Sequence, residues 1–408
     1  MTSLAGAAFL AEPRLARVLD VLNGEGEETR IVGGAVRNAL IGAPVDEVDL
    51  ATTAMPAEVV RRAAAAGLKA VPTGIAHGTV TVVADGRPLE VTTLREDVAT
   101  DGRHAIVRFG RDWARDAARR DFTMNALYAT REGAVIDLVG GRDDLAARRV
   151  RFIGDPDQRI REDYLRILRL FRFHAAYGRG PLDPAACAAA IRNRAGIAGL
   201  SRERVRAEIL KLLAAPGAPA MVETLSETGF LDRILAGIGD LPALRRLAAW
   251  EHAEGVPADA VLRLGILAVR VPEDADRLRV RLRLSGPEHA RLTALGAGPI
   301  APDLPPSALR ALLYRAGAGA IRDRVALAVA RGAPPPDAAR RAMLQTWVKP
   351  VLPVRAADLQ ACGVAPGPAL GAALKRAEAA WIAADFPADP AAVPDLIAHA
   401  LGDAARRD

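Results

Sequence analysis

Two kinds of hydrophobic pattern divide the chain. In about the first 150 residues, short apolar runs that end in turns alternate with amphipathic stretches. The short runs predict strands in "TRIVGG", "EVDLAT" and "GAVIDLVGG", and a hairpin in "GTVTVVADGRPLEVTTL" with its turn at Asp85-Gly86. The amphipathic stretches predict helices in "AVRNALIG" and in "PAEVVRRAAAAG", which has proline in its first turn and glycine after its end. We expect an α/β unit with a mixed, largely antiparallel sheet.

Beyond about Asp155 the apolar positions have helical spacing only. One long helix is predicted in "DQRIREDYLRILRLFRFHAAYG", ending at Gly178, and another in "SRERVRAEILKLLAAPG". In the second helix we expect Ser201 at the N-cap and an ion pair between Arg204 and Glu208, one turn apart. The predicted fold class is therefore α+β, an α/β head followed by an all-helical remainder. The predicted domains are a head at 1–150, a neck at 151–225, a body at 226–345 and a tail at 346–408.

The charge balance indicates what kind of partner the chain binds. Lysine and arginine number 55 against 49 acidic residues, and the net charge of +6 suits a polyanionic partner. Nearly all of these bases are arginine, for which a GC-rich genome is the simpler explanation. Aromatic residues make up 4% of the chain, too few for a platform on which single-stranded bases stack.

Cysteine usage and hydropathy indicate a location. Cys187 and Cys362 are far apart and no CxxC motif occurs, which predicts a reducing cytoplasm and no disulfide-linked partner. The N-terminal stretch lacks the pattern of a signal peptide, and no apolar run reaches the roughly 18 residues of a membrane span. The protein is predicted to be cytoplasmic and to have no membrane partner.

Two acidic residues share one face of the predicted strand "EVDLAT". Because side chains alternate along a strand, Glu47 and Asp49 point the same way and Asp46 points away from them. Such a pair is a hard-oxygen site for Mg²⁺, although solvated acids at a strand end are the commoner arrangement. If the hairpin pairs beside this strand, Glu90 becomes a third acid, and three acids can hold two metal ions.

A glycine turn precedes these acids. Gly33 and Gly34 allow the backbone to approach a phosphate group, and Arg37 follows on the next helix. A lone Gly-Gly pair is most often only a tight turn. Together with the arginine and the two carboxylates, it predicts a site for a nucleoside triphosphate with its metal ions.

Here the chain resembles a known family. The stretches "VGGAVRNALIG" and "EVDLATTA" resemble the head signature of the class II nucleotidyltransferases of the DNA polymerase β superfamily, the tRNA CCA-adding enzymes and the bacterial poly(A) polymerases. The resemblance implies a polymerase-β-like catalytic head with two Mg²⁺ ions. The family usually has aspartate where Glu47 stands, and often where Asn38 stands; glutamate keeps the charge and the type of ligand. The resemblance is dense from Gly33 to Leu213.

A second motif, "RRDFTMNALY", matches the family closely. By its chemistry Arg120 can bind triphosphate oxygens, and Asp121 can accept a hydrogen bond from a ribose hydroxyl. The resemblance assigns the motif to ribose recognition, with Asn125 as a further polar contact. An ordinary Arg–Asp ion pair is the structural alternative.

The third motif is "EDYLR". On the predicted helix Asp163 and Arg166 are three residues apart and share a face, so a surface ion pair is the simplest interpretation. The alternative is base recognition, because a carboxylate only accepts hydrogen bonds and a guanidinium only donates them. This edge fits cytosine and adenine and mismatches uracil and guanine. The family motif is credited with that role. Arg169 and Arg172 continue the basic stripe by threes and could hold phosphates.

Two further stretches resemble the family without a settled role. The segment "LREDVATDGRHAIVRF" is predicted to be a flexible polar loop around Asp101, Gly102 and Arg103; it either reshapes the pocket between C and A or is a plain surface loop. The tail segment "GVAPGPALGAALKRAEAAWIAADF" contains Gly367 and Gly371, which suit either close approach to RNA phosphates or helix packing.

The resemblance implies a CCA-adding tRNA nucleotidyltransferase, with tRNA as partner and ATP and CTP as substrates. The head motifs leave open a poly(A) polymerase or an enzyme that adds A alone. A non-catalytic RNA-binding protein and a small-molecule nucleotidyltransferase are the remote alternatives. The predicted catalytic residues are Glu47, Asp49 and Glu90, with Glu47 and Asp49 as the metal ligands. The predicted nucleotide-binding residues are Gly33, Gly34, Arg37, Arg120, Asp121, Asn125, Asp163, Arg166 and Arg169.

Overall fold

The computed structural model of the protein describes residues 3–101 and 104–402; for 97–101 and 104–107 it describes the backbone alone. The chain divides into two compact units, Met1–Ile234 and Leu235–Asp408. The finer predicted division at residues 150, 225 and 345 stays a prediction.

Within the described residues, the first unit contains all of the strands. They are β1 (Thr29–Val32), β2 (Asp49–Thr52), β3 (Lys69–Gly74), β4 (Thr79–Ala84), β5 (Arg87–Thr93), β6 (Arg95–Asp101), β7 (His104–Phe109), β8 (Leu127–Ala129) and β9 (Val135–Asp137). Seven of them form one sheet in the order β3-β4-β5-β2-β1-β8-β9. The β2–β5 pair is parallel and the other pairs of this sheet are antiparallel, which confirms the predicted mixed, largely antiparallel sheet.

The first unit also contains helices, several of which pack against this sheet. They are α1 (Pro13–Leu22), α2 (Gly34–Leu40), α3 (Pro56–Ala65), α4 (Trp113–Ala118), α5 (Gly141–Ala146), α6 (Pro156–Glu162), α7 (Leu165–Tyr177), α8 (Pro184–Arg192), α9 (Arg202–Ala214) and α10 (Ala218–Glu227). One buried apolar cluster joins β1, β2 and β8 to α4 through Val32, Ala51, Ala117 and Tyr128. This packing fixes the central strands from which the site is built.

The prediction of a flexible loop was wrong, because the backbone of this segment forms the antiparallel strand pair β6–β7. Glu96 lies directly opposite Arg108, and the two side chains form an ion pair. Such cross-strand pairs stabilise a two-stranded sheet, and "AIVRF" carries the β-branched residues that favour a strand. Gly102 and Arg103, at the predicted turn, lie outside the described residues.

The prediction of a single helix up to Gly178 was also wrong, because this segment forms two helices, α6 and α7. Asp163 separates them with an extended backbone, φ −155° and ψ 105°. Its side chain accepts a hydrogen bond from the Leu165 N–H at 3.0 Å, so the aspartate begins a new helix instead of continuing the old one. Tyr164 packs against Gly196, where a Cβ would lie 2.0 Å from the tyrosine ring. Apolar spacing continues through the break, which is why the pattern predicts one helix.

Helix α9 forms as predicted, but its capping and pairing differ. Ser201 occupies the N-cap position without a capping hydrogen bond from its side chain. Arg204 donates to Asp163, and Glu208 accepts from Arg172. The predicted intrahelical pair between Arg204 and Glu208 is thus replaced by contacts to the residues around α7.

The described part of the second unit is helical, as predicted. After α11 (Leu231–Leu235), which spans the unit boundary, its helices are α12 (Leu241–Ala253), α13 (Ala260–Ala268), α14 (Pro272–Leu282), α15 (Gly286–Gly296), α16 (Pro306–Ala316), α17 (Ala318–Ala330), α18 (Ala338–Thr346), α19 (Ala356–Ala361), α20 (Pro368–Ala383) and α21 (Val393–Leu401). Gly371 lies in α20, and no described atom lies within 4 Å of the position of an added Cβ, which disfavours helix packing as its reason. Among the described residues, none of the helices has the length and apolarity needed to cross a membrane.

Candidate active site

The first unit contains a cavity of about 700 Å³ that brings all of the predicted site residues together. Its walls come from β1, β2, β4 and β5 of the sheet and from α2, α7 and α9. The predicted residues that line it are Gly33, Gly34, Arg37, Glu47, Asp49, Glu90, Arg120, Asp121, Asn125, Asp163, Arg166 and Arg169. Arg172, predicted with Arg169 to be able to hold phosphates, lines it too. Sequence reasoning did not place Thr79, Thr92, Arg95, Arg119, Phe173 and Arg204 in the site.

Three carboxylates lie along one part of this wall. Asp49 is the first residue of β2, and its partner on the parallel strand β5 is Glu90, so the hairpin does pair beside the acidic strand. Glu47 lies just before β2 rather than on it, because the strand begins at Asp49. All three side chains nevertheless line the same cavity.

These three carboxylates carry like charges and repel one another. Burial raises the pKa of Asp49, the nearby charges of Glu90 and Glu47 raise it further, and Arg120 acts in the opposite direction. Carboxylates that repel in this way are relieved by a cation. The donors fit a hard divalent ion, which in enzymes commonly takes one or two protein carboxylates and completes its shell with water and substrate phosphate. Within residues 3–101 and 104–402, no group of three or more acidic, histidine or cysteine side chains is arranged to hold a metal by itself.

The glycine turn directs the chain past the cavity. Gly33 has φ +72° and ψ −116°, a backbone conformation open to glycine and strained for other residues. An added Cβ at Gly33 would lie 3.5 Å from the Asn125 carbonyl oxygen. The turn therefore brings β1 and α2 close to the backbone at Asn125.

Arg37 is a buried part of the wall rather than a free cation. Its Nη1 donates to Asn125 Oδ1 at 2.6 Å, and its Nη2 donates to the Tyr177 hydroxyl at 2.7 Å. The guanidinium also lies 4.0 Å from the centre of the Tyr177 ring. Arg37 thus joins α2 to α7 through its contacts with Tyr177.

Asp121 is fully engaged in hydrogen bonds. Its Oδ1 accepts from the Phe122 N–H and from Asn125 Nδ2, at 2.8 and 3.0 Å, and its Oδ2 accepts twice from Arg169, at 2.6 and 2.8 Å. Burial alone would raise the pKa of Asp121, but Arg169 and these hydrogen bonds outweigh it and hold the pKa below its ordinary value. A carboxylate has about four acceptor positions, so this one has none to spare.

Arg120 is held by an acid that the sequence motifs do not single out. Asp116 is 1% exposed and accepts from Arg120, from Arg119 and from the Tyr128 hydroxyl, the last at 2.8 Å. Burial would raise the pKa of Asp116, but the charges of Arg120 and Arg119 outweigh it and lower the pKa. Asp116 thereby positions Arg120 at the cavity.

The proposed base-reading pair is tied to other residues as well. Asp163 Oδ2 accepts from Arg204 Nη2 at 2.6 Å, while its Oδ1 caps α7. Arg166 Nη1 donates to Glu162 Oε2 at 2.5 Å and to the Arg159 carbonyl oxygen at 2.9 Å. Both residues line the cavity although they do not share one helix, since α7 begins after Asp163.

Arg204 lines the cavity beside Asp163, and the sequence motifs do not single it out. Its spacing from Glu208 is that of a favourable ion pair within one helix, so the sequence favours that local pair. The signal that could have found it is the spacing of Arg169 and Arg172 on the neighbouring helix, which gives Glu208 two alternative partners.

A larger cavity, about 910 Å³, lies in the second unit. Several of its charged side chains satisfy one another: Arg291 pairs with Asp259 and Asp323, and Arg341 pairs with Glu254. In the first cavity, by contrast, three neighbouring carboxylates, Glu47, Asp49 and Glu90, line one wall together with arginines, which makes the first cavity the candidate active site.

Two family models match the chain. "Poly A polymerase head domain" matches residues 29–151, and "Probable RNA and SrmB- binding site of polymerase A" matches residues 181–241. Among solved structures, the chain is similar to the CCA-adding enzyme of Bacillus stearothermophilus in complex with CTP, with a TM-score of 0.69 and 28% identity over 91% of this chain and 93% of that one. This likeness confirms the predicted fold class.

Among curated proteins, the mitochondrial CCA tRNA nucleotidyltransferase 1 of Danio rerio is 40% identical over 268 residues, which are 64% of this chain. The chain spans 61% of the length of that relative, and the same share of its mouse and human counterparts. The CCA-adding enzyme of Limosilactobacillus fermentum is 33% identical over 383 residues, which cover 89% of this chain and 90% of the relative. Because that similarity runs through nearly the whole of both proteins, the chain belongs to the tRNA nucleotidyltransferase and poly(A) polymerase family.

Proposed function

We propose that the protein adds C and A nucleotides, from CTP and ATP, to the 3′ end of tRNA without a nucleic-acid template. In this reaction the 3′ hydroxyl of the RNA attacks the α-phosphate and pyrophosphate leaves. The observation that carries the proposal is that one cavity contains both the acids of β2 and β5 and the acceptor–donor pair Asp163 and Arg166. The names of the relatives, and the CTP complex of the Bacillus stearothermophilus enzyme, support the same reaction.

Membership of the family implies dependence on a divalent metal, and we propose Mg²⁺, with two ions. Glu47 and Asp49 would hold them, with Glu90 beside them. Bound metal supplies activation of the attacking hydroxyl and neutralises charge on the phosphates. The mutual repulsion that raises the pKa of Asp49 is what such a charge would relieve.

Arginine side chains would hold the triphosphate. Eight arginines line the cavity against five acidic residues, and two of those acids are the proposed metal ligands. A planar guanidinium can donate two parallel hydrogen bonds to phosphate oxygens. Arg120, fixed by Asp116, is the arginine whose charge acts on Asp49, so it lies where triphosphate and metal would meet.

For the ribose we propose an indirect role for Asp121. Its acceptor positions are taken by Asn125, Arg169 and a backbone N–H, so it orients these two side chains toward the cavity. Asn125 and Arg169 then offer the polar contacts to the sugar and phosphates.

Asp163 and Arg166 would read the base. Cytosine and adenine each present an amino donor beside a ring-nitrogen acceptor, which matches a carboxylate next to a guanidinium. Uracil and guanine set an acceptor against Asp163 and a ring N–H against Arg166. Each mismatch leaves a buried polar group unpaired, at a cost of about 1–3 kcal/mol. Two side chains therefore suffice to select C and A.

The RNA would be bound mainly through its phosphates. A net charge of +6 suits contacts that depend on shape and salt more than on sequence. We propose that the neck carries base recognition and that the helical body and tail bind the tRNA. The predicted cytoplasmic location stays a prediction, because the relatives include mitochondrial proteins.

One assay tests the proposed function. A tRNA transcript that lacks its last three nucleotides is incubated with the protein, Mg²⁺ and labelled CTP or ATP, with an unrelated RNA as control. Addition of C, C and A to the tRNA alone supports the proposal. A long A ladder on both RNAs identifies a poly(A) polymerase instead, and binding without growth identifies a non-catalytic RNA-binding protein.

A further inference from the structure

Helix α9 sends two side chains, one turn apart, toward the residues around α7. Arg204 Nη2 donates to Asp163 Oδ2 at 2.6 Å. Glu208, which is buried, accepts from Arg172 Nε at 2.5 Å and lies 3.7 Å from Arg169. Arg204 belongs to the cavity lining and Glu208 does not, so the two contacts differ in what they can influence.

Asp163 needs support from outside its own helix. It lies in extended backbone between α6 and α7, where no helical turn fixes its side chain. One carboxylate oxygen is fixed by the Leu165 N–H at 3.0 Å, and the other is fixed only by Arg204 among the hydrogen bonds described. Each oxygen has two acceptor positions, so one position on each stays free for a ligand.

We propose that Arg204 is a positioning residue for base selection, an inference that rests on the proposed function. By holding Oδ2 of Asp163, Arg204 fixes the plane of the carboxylate and the direction of its free acceptor positions. The fixed Asp163 carboxylate can then accept a hydrogen bond from the amino group of cytosine or adenine at a favourable angle. The carbonyl oxygen of uracil instead faces a carboxylate oxygen, which cannot donate a hydrogen bond and cannot rotate out of the way. Without Arg204, the carboxylate rotates about the bond to its Cβ and the mismatch is relieved.

The contact is suited to specificity more than to stability. The side chains of Arg204 and Asp163 are 34% and 27% exposed. Ion pairs with this access to water contribute little to the free energy of unfolding. Replacement of Arg204 should therefore change the nucleotide preference while the protein stays folded.

The experiment compares kcat/KM for CTP and for UTP on a tRNA transcript that lacks its last three nucleotides. We expect Arg204→Met, and Arg204→Gln as a second variant, to lower the CTP-over-UTP ratio about tenfold, the effect of one misdirected hydrogen bond. Arg204→Lys should restore part of the ratio, since it keeps a charge-assisted donor. The matched control is Arg202→Met on the same helix, at an exposed position outside the cavity lining, and its ratio should equal that of the wild type.

A double-mutant cycle shows whether Arg204 acts through Asp163. In an Asp163→Ala background, Arg204→Met should leave the CTP-over-UTP ratio unchanged. The inference is overturned if the single Arg204 variants keep the wild-type ratio, or if they lower it equally in the absence of Asp163. A wild-type protein that adds neither C nor A rejects the proposed function itself, which is a separate outcome.

Discussion

Asp49 on β2 lies directly opposite Glu90 on the neighbouring parallel strand β5. These two residues come from segments that are far apart in sequence, and only the sheet brings them together. Because both carboxylates face one cavity with Glu47, the pairing concentrates negative charge beside a wall of arginines. This contrast of charge within one cavity is what a metal-bound triphosphate needs.

The first prediction concerns Asp49. Asp49→Ala should lower nucleotide incorporation at least about a thousandfold, because the metal it would hold supplies several kcal/mol of transition-state stabilisation. Incorporation is measured with labelled CTP, and RNA affinity by fluorescence anisotropy should stay close to that of the wild type. Asp46→Ala is the matched control, since Asp46 is exposed and is not among the cavity-lining residues. Substantial incorporation by Asp49→Ala would contradict the proposed role of these acids in the reaction.

The second prediction concerns the choice of base. Asp163→Ala should lower the CTP-over-UTP ratio of kcat/KM by about 10- to 100-fold, because the cavity no longer presents uracil with an unpaired acceptor. RNA affinity should change much less. An unchanged ratio would refute the base-reading role while leaving the proposed transfer reaction intact.

The third prediction tests the break between α6 and α7. Gly196→Ala places a Cβ 2.0 Å from the Tyr164 ring, so Tyr164 must move and Asp163 beside it must shift. We expect a loss of about 1–3 kcal/mol in the free energy of unfolding, together with weaker discrimination against UTP. Gly199→Ala is the matched control: Gly196 and Gly199 both lie in the short 3₁₀-helix Arg194–Gly199, and a Cβ at Gly199 would point into open space. Equal behaviour of the two variants would contradict the proposed packing.

The fourth prediction concerns the buried Asp116. Asp116→Asn leaves Arg119 and Arg120 without their buried counter-charge, and we expect it to lower the free energy of unfolding at pH 7 by about 3 kcal/mol. We take the lower end of the usual range because the two arginine side chains are 16% and 20% exposed. Urea unfolding of the wild type and the variant measures the difference.

The free energies of unfolding of the wild type and Asp116→Asn should depend differently on pH in the acid range. The pKa of Asp116 is lower in the folded protein than in the unfolded chain, so its contribution is complete above the unfolded value of about 3.9. It is lost as the pH falls through the folded pKa. The stability difference between wild type and Asp116→Asn should therefore shrink in urea titrations below about pH 4. A difference that stays constant down to pH 3 would show that the charge of Asp116 is not the cause.

The sequence predicted β1, β2, the β4–β5 hairpin and β9, because their signals are local. Alternation within "EVDLAT" and within the hairpin is enough to place Asp49 and Glu90 on strands, and the structure supplies only their pairing. Gly33 is similar, since two glycines between an apolar run and a helix already indicate a turn with unusual backbone angles.

The parts that failed depend on contacts between distant segments. The break at Asp163 is stabilised where Tyr164 meets Gly196, and no periodic pattern reports that contact. Arg204 has an acceptable partner four residues away, so the sequence favours the local ion pair over the contact with Asp163 that the packing of α9 produces. Partner choice among many arginines is set by tertiary packing, which spacing along one helix does not encode.

Among the described residues that line the candidate active site, all of the cationic side chains are guanidinium groups and none is an amine. A guanidinium keeps its proton throughout the pH range in which proteins stay folded, so the attraction of this site for phosphate does not weaken in mildly alkaline solution. Acetyl donors and aldehydes, which consume lysine, leave the site chemically intact. Vicinal dicarbonyls such as phenylglyoxal react with guanidinium groups. A bound nucleotide should therefore protect the arginines of this site from modification by these reagents.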